Sequence, residues 1–182
     1  GSERNMRVWS RLGHSLKTGE TSWRTLHDGT LWDHLTAHPE EAERFHGAMV
    51  ELTRESAVSY ARAYDFGRHG TVADLGGGEG ELLSVILRAH PGLRGLTVDG
   101  PQALAHAPAT FARHGVTDRA ATAEADIEKD VPAGQDVYVA KNILHGFTDA
   151  QAEAALKVWR RAARADSRLV LIEVVVPEAG PY

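Results

Sequence analysis

The chain has no cysteine, which excludes disulfides, thiolate nucleophiles and cysteine-based zinc sites while leaving the redox compartment open. It has no run of lysines and arginines, and its formal net charge is −5. A polyanion such as nucleic acid needs a basic surface, so none is expected as a partner. No apolar stretch approaches the ~20 residues that span a bilayer, and no basic-then-apolar leader opens the chain. The expectation is a cytoplasmic protein with no membrane association. Ten histidines could suggest a metal centre, but they are scattered. The one pair at helical spacing, His34 and His38, is followed by Pro39, which biases His38 away from helix geometry. No metal is expected.

What the chain does have is a short apolar run, Val72-Ala73-Asp74-Leu75, followed at once by Gly76, Gly77, Gly78, Glu79, Gly80 and Glu81 and then by an amphipathic segment. That pattern predicts strand, tight turn and helix. Gly76, Gly78 and Gly80 permit positive φ and close approach of backbone to a ligand, and the helix start offers unpaired N–H groups. The dinucleotide fingerprint would need glycine where Glu81 stands. Glu79 and Glu81 beside the turn disfavour a pyrophosphate but tolerate a ligand with a positive centre and no phosphate. S-adenosylmethionine is such a ligand. A further acid, Asp99, ends the next apolar run, where doubly wound sheets use a carboxylate to take ribose hydroxyls.

Residues 3–66 carry helical spacing and no strand alternation. Trp9, Leu12 and Leu16 share a stripe that Gly19 terminates. Pro39, Glu40, Glu41 and Glu43 open a helix whose buried face is expected to be Ala42, Phe45, Met49, Leu52, Ala57, Tyr60 and Tyr64. The pattern changes near Gly67–Gly70, giving two expected segments, 1–66 and 67–182. From Thr71 onward strands and helices alternate. A helix over 101–114 is closed by Gly115 and kinked at Pro108; a weak strand over 120–124 leads to Asp126; a fourth strand spans 136–141. Thr148 or Asp149 caps a helix reaching about Ala165, with Ala152, Ala155, Leu156 and Trp159 on its packing face, and a fifth strand over 168–176 reads as buried on both faces except at Glu173. This predicts an α/β fold, a Rossmann-like doubly wound parallel sheet with an N-terminal helical appendage. Ligands would bind beyond the strands' carboxyl ends, where Asp74, Asp99, Asp126 and His145 fall. Glu173 inside an apolar strand needs a partner, and His145 beyond the neighbouring fourth strand could be one. A glutamate that orients a histidine and raises its basicity is what a general base requires.

The blocks VADLGGGEG, LTVDGP, DVYVAKNILHGFTD and LVLIEVVVP, with KTGETSW, LWDHL, HPE and FHGAM upstream, resemble the small-molecule O-methyltransferases of the plant caffeic-acid type, a family also common in bacterial natural-product pathways. The resemblance runs from Arg7 to Pro177. It implies that Asp74, Gly76, Gly78 and Asp99 hold S-adenosylmethionine, that Asp126 and Ile127 contact its adenine, and that Lys141 reaches its far end. It further implies that His145 takes the proton of an aromatic or polyketide hydroxyl, that Glu173 steers His145, and that Trp9, Phe45 and Met49 line the acceptor side. The chain departs from the family at Gly146, where an acid is usual, and at Phe147, where tryptophan is usual. The family's N-terminal dimerisation region and C-terminal strands have no counterpart here, so the edge of strand five is expected to be covered by another chain, by a homo-oligomer or by a separate tail. Two other outcomes stay open: a cofactor-binding protein of the same fold that catalyses decarboxylation, hydroxylation or rearrangement without methyl transfer, or a cofactor-binding subunit completed by a partner.

Overall fold

The computed structural model describes residues 3–175, which form two compact units dividing between Phe45 and His46. The division falls 21 residues before the expected change at 66/67, inside one helix, α4 (Pro39–Ala63). The physical reason is small residues: Ala57 and Ala61 of α4 are fully buried in the same core as Phe66 and Val72.

The first unit contains α1 (Glu3–Trp9), α2 (Leu12–Thr18), α3 (Leu31–Ala37) and the start of α4. Gly19, at φ +75°, closes α2, and a reciprocal Thr30–Asp33 capping box opens α3. Trp23 is the unit's centre, stacked by His27 at 4.2 Å and met edge-on by His34 at 5.3 Å, with the Arg4 guanidinium 5.7 Å above its ring. Arg4 also pairs with Glu41. His34 and His38 stack face to face at 4.0 Å, and the His38 backbone has left helix geometry before Pro39. The expected stripe of Trp9, Leu12 and Leu16 is broken between α1 and α2, and all three side chains are exposed.

In the second unit the strands β1 (Thr71–Leu75), β2 (Arg94–Asp99), β3 (Ala120–Glu124), β4 (Val137–Lys141) and β5 (Arg168–Ile172) form one all-parallel sheet in the order β3-β2-β1-β4-β5. Between them run α5 (Glu81–Ala89), α6 (Pro101–Leu104), α7 (Ala107–His114) and α8 (Asp149–Ala162). The predicted helix over 101–114 is split ahead of Pro108, and Gly115 ends it at φ +67°. Side chains alternate along the strands, so Val72, Val137 and Val139 meet α4, α5 and α7 on one face, while Ala73, Leu75, Tyr138 and Ala140 meet Ala155, Val158 and Trp159 of α8 on the other. Helices on both faces make this the expected doubly wound α/β fold. No helix among the described residues is long and apolar enough to cross a membrane.

Two packing expectations need correction. Leu52 and Met49, expected on the buried face of α4, are 60 % and 40 % exposed; the buried row is Thr53, Ala57 and Ala61. Strand five was expected to be buried on both faces. It is the sheet's edge, it ends at Ile172, and Leu169, Leu171, Val174 and Val175 are exposed; Val176 lies outside the described residues.

The amino-end rim of the sheet is fastened by one carboxylate. Asp136 Oδ2 accepts from the backbone N–H groups of Gly70 and Thr71, at 2.8 Å each, and from the Thr71 hydroxyl, and Asp136 also pairs with Arg164. Burial pushes its pKa up, but Arg164 and the two N–H donors outweigh burial and hold it below the ordinary aspartate range.

Candidate active site

The sheet order reverses at β1, with β2 on one side and β4 on the other, and the glycine turn leaves β1 at that point. Gly76, Gly78 and Gly80 all have positive φ, +68°, +56° and +74°. The Gly76 N–H donates to the Val98 carbonyl at 2.8 Å, and the Gly78 N–H to Asp99 Oδ2 at 2.9 Å. Asp99 Oδ1 accepts from Gly100 N–H at 2.7 Å, so both carboxylate oxygens are pinned at the carboxyl end of β2. A Cβ on Gly76 would collide with Ile143, one on Gly77 with Thr97 and Asp74, and one on Gly80 with Phe111. A Cβ on Gly78 would meet nothing within 4 Å among the described residues. The turn is therefore packed on three sides and open at Gly78, as a cradle for a ligand requires.

Asp74, on β1, is 1 % exposed, and its Oδ2 has no hydrogen-bond partner among the described residues. The same holds for the hydroxyl of Thr97, its register partner on β2. Burial pushes the Asp74 pKa up to about 7; Lys141, at the end of β4, pulls it down, Asp99 adds to the rise, and the Leu83 backbone N–H lowers it. A buried acid with an unused oxygen suits a ligand carrying a cationic group. Because its folded pKa lies above the unfolded value of 3.8, the stability Asp74 contributes is full below that value and is lost as pH rises towards 7. Asp74→Asn is thus expected to raise the Tm of the ligand-free protein at pH 8, with the gain over wild type closing below about pH 4. Thermal melts of both proteins across that range measure it.

Beyond β3, Asp126 is half exposed and pairs with Lys129 at 2.6 Å. Ile127 packs into the core, its carbonyl accepts from Trp159 Nε1 at 2.8 Å, and its side chain reaches the Gly76 turn beside Ile143. Gly76, Ile127 and Ile143 are thus brought together.

At the end of β4 the chain turns through Asn142, the one non-glycine residue with positive φ (+56°) among those described. Asparagine tolerates that conformation. A 3-10 turn, Leu144–Gly146, follows and carries His145. Because Lys141 and Ile172 are register partners, Glu173 emerges directly opposite. Its Oε1 accepts from the N–H groups of Ile143 and Leu144, at 2.8 Å each, and its Oε2 lies 2.9 Å from His145 Nδ1. Burial pushes the Glu173 pKa up, but the His145 hydrogen bond and the two backbone donors outweigh burial and hold it low. An ionised carboxylate only accepts, so the His145 proton sits on Nδ1 and the lone pair on Nε2. The His145 side chain is 61 % exposed. The pair predicted from sequence is therefore formed, with a geometry suited to proton abstraction.

Of the residues expected on the acceptor side, Trp9 is exposed on α1, Phe45 meets Trp32 edge-on at 5.8 Å, and Met49 is 40 % exposed on α4, its carbonyl accepting from the Thr53 hydroxyl. Not expected from the sequence are Thr97, a polar residue inside the apolar run of β2, and Asn142, an αL-tolerant residue at a strand end. Glu81 also departs from expectation. That side chain is buried against Arg113 and His114, leaving Glu79 as the acid beside the turn.

A family model described as an O-methyltransferase domain matches residues 9–181. Among curated proteins, the chain is similar to the O-demethylpuromycin-O-methyltransferase of Streptomyces alboniger, 37 % identical over 173 residues that make up 94 % of this chain and 46 % of that protein. Among solved structures it is similar to LaPhzM, with a TM-score of 0.93 at 36 % identity over 99 % of this chain and 54 % of that one. It is also similar to NcsB1 from neocarzinostatin biosynthesis, solved with S-adenosylmethionine and 2-hydroxy-5-methyl naphthoic acid, with a TM-score of 0.84 at 29 % identity over 90 % of this chain and 50 % of that one. The chain spans about half the length of the curated relatives it matches.

Proposed function

Because the chain belongs to the O-methyltransferase domain family, we propose that it transfers the methyl group of S-adenosylmethionine to a hydroxyl of an aromatic or polyketide small molecule, with His145 as general base. The observation that carries this reading is the contact between Glu173 and His145 Nδ1, which leaves Nε2 as the proton acceptor. The cofactor fits the residues present: Gly78 is open where a ligand would approach, and Asp74 offers a buried carboxylate oxygen with no partner among the described residues. On this reading Gly76, Gly78 and Asp99 hold the nucleoside, Asp126 and Ile127 flank its base, and Asp74 and Lys141 serve its amino-acid end. When bound, S-adenosylmethionine supplies an electrophilic methyl group on a sulfonium.

The chain itself orients and deprotonates. Asp99, fixed by Gly78 and Gly100, needs no rearrangement to accept from ribose hydroxyls. Glu173, fixed by Ile143 and Leu144, keeps the imidazole in one tautomer, so the acceptor's proton moves to His145 Nε2. The same proposal places Trp9, Phe45 and Met49 on the acceptor side and has a second chain or second copy cover the edge of β5, a cover that the exposed Leu169 and Leu171 support. A cytoplasmic setting completes it.

Methyl-labelled S-adenosylmethionine incubated with the protein and a panel of hydroxylated naphthoates, phenazines and simpler phenols tests the reading. Label is expected in at least one acceptor. Cofactor uptake with a chemically altered acceptor and no label would instead identify a non-methylating activity.

A further inference from the structure

Glu81 is the first residue of α5, immediately after the glycine turn, and its side chain is 3 % exposed. Three basic side chains converge on it. Arg113 Nη2 lies 2.5 Å from its Oε2, and His114 Nε2 and Arg54 Nε lie 3.1 Å and 3.5 Å from its Oε1. Arg113 and His114 end α7, and Arg54 belongs to α4, so one carboxylate joins three helices that the sequence separates widely. A carboxylate this deep is costly without partners, and an equally buried apolar residue would pack as well. The ion pairs therefore ask for a reason beyond stability.

The reason lies in what they hold. Gly80 sits against Phe111 of α7, and the Ser84 hydroxyl donates to the Gly80 carbonyl at 2.7 Å. The Phe111 and Glu81 contacts fix the exit of the turn to α7, and the Ser84 bond ties that exit to the first turn of α5. The turn's entrance is fixed separately, by Gly76 on Val98 and Gly78 on Asp99. Arg54 carries the same anchorage to α4, where it directly follows Thr53, whose hydroxyl donates to the Met49 carbonyl one turn back.

We propose that Glu81 is a positioning residue that holds the exit of the glycine turn, and so the seat of the cofactor, in register with α4, the helix that carries Met49. The inference rests on the methyltransferase reading of the same turn. It acts through backbone placement and makes no contact with the ligand itself.

Calorimetric titration with S-adenosylhomocysteine, well below each protein's Tm, tests it. Glu81→Gln, which keeps the shape and removes the charge, is expected to raise Kd about tenfold, and Arg113→Gln about threefold, with the double variant no worse than Glu81→Gln because both break one linkage. Val158→Ala, in the core on the other face of the sheet, is expected to lower Tm while leaving Kd within about twofold of wild type. A Kd in Glu81→Gln within about twofold of wild type overturns the inference, as does an equal weakening in Val158→Ala, which would make the effect one of general loosening. If Glu81→Gln does not fold, the half-exposed Arg113 decides: an unchanged Kd in Arg113→Gln overturns the inference. A wild-type chain that takes up no S-adenosylhomocysteine overturns the functional reading, and this inference with it.

Discussion

Replacing His145 with alanine is expected to slow methyl transfer about 10²–10⁴-fold while leaving the affinity for S-adenosylhomocysteine unchanged. The imidazole is exposed and bonded through Nδ1 to Glu173, with no part in the turn that would hold the cofactor. Its loss removes the proton acceptor and little packing. The neighbouring substitution Glu173→Gln is expected to be nearly as damaging, for a reason visible in the hydrogen bonds. Oε1 accepts from two N–H groups, so the carbonyl oxygen of a glutamine would take that place and its NH₂ would face His145 Nδ1. The imidazole would then have to accept at Nδ1, moving its proton to Nε2 and abolishing the base. Single-turnover rates with labelled cofactor and any acceptor from the panel measure both. Activity of His145→Ala within about threefold of wild type would remove the histidine from the chemistry, since a working base contributes far more.

Gly78→Ala is the second large effect, and it separates ligand binding from folding. The φ of +56° at Gly78 makes alanine strained by about 1–2 kcal/mol, but the added methyl meets no atom of the described residues within 4 Å. The variant should fold. Its methyl projects into the open side of the turn, where the ligand backbone contact would be made, so the affinity for S-adenosylhomocysteine is expected to fall roughly a hundredfold, about 2.8 kcal/mol. Gly76→Ala and Gly77→Ala are less informative, because the new methyl would strike Ile143 in one and Thr97 with Asp74 in the other, damaging the fold directly. Calorimetry beside a thermal melt distinguishes the two losses. Undiminished uptake by a folded Gly78→Ala protein would mean that the ligand lies elsewhere.

What the sequence made legible was what local spacing controls. An apolar run ended by glycines predicts a strand, turn and helix without knowledge of neighbours, and β1, the turn and α5 are found there. Pro101 and Gly115 marked helix ends through fixed φ and tolerated positive φ, and both act so. Glu173 and His145 were legible as a pair because parallel neighbours bring the carboxyl ends of strands four and five together. What was not legible depended on distant partners. Glu81 looked like a free charge beside the turn because Arg54, Arg113 and His114 are 27 to 33 positions away, and nothing in their spacing announces a common meeting point. The buried row of α4 runs through Thr53, Ala57 and Ala61 rather than Leu52, because which face of a helix meets the core is set by packing against distant elements and not by apolarity alone. Apolarity suggested that strand five was interior, yet only its position at the end of the strand order decides whether it is covered.

Asp136 gives this arrangement a further meaning. It knots Gly70, Thr71 and Arg164 at the end of the sheet opposite the histidine and the glycines. Anchorage and the proposed chemistry thus occupy different ends of the same strands. Descendants of such a chain can remodel the loops at one end to suit new acceptors while the foundation at the other is left untouched, so diversification carries little risk of collapse.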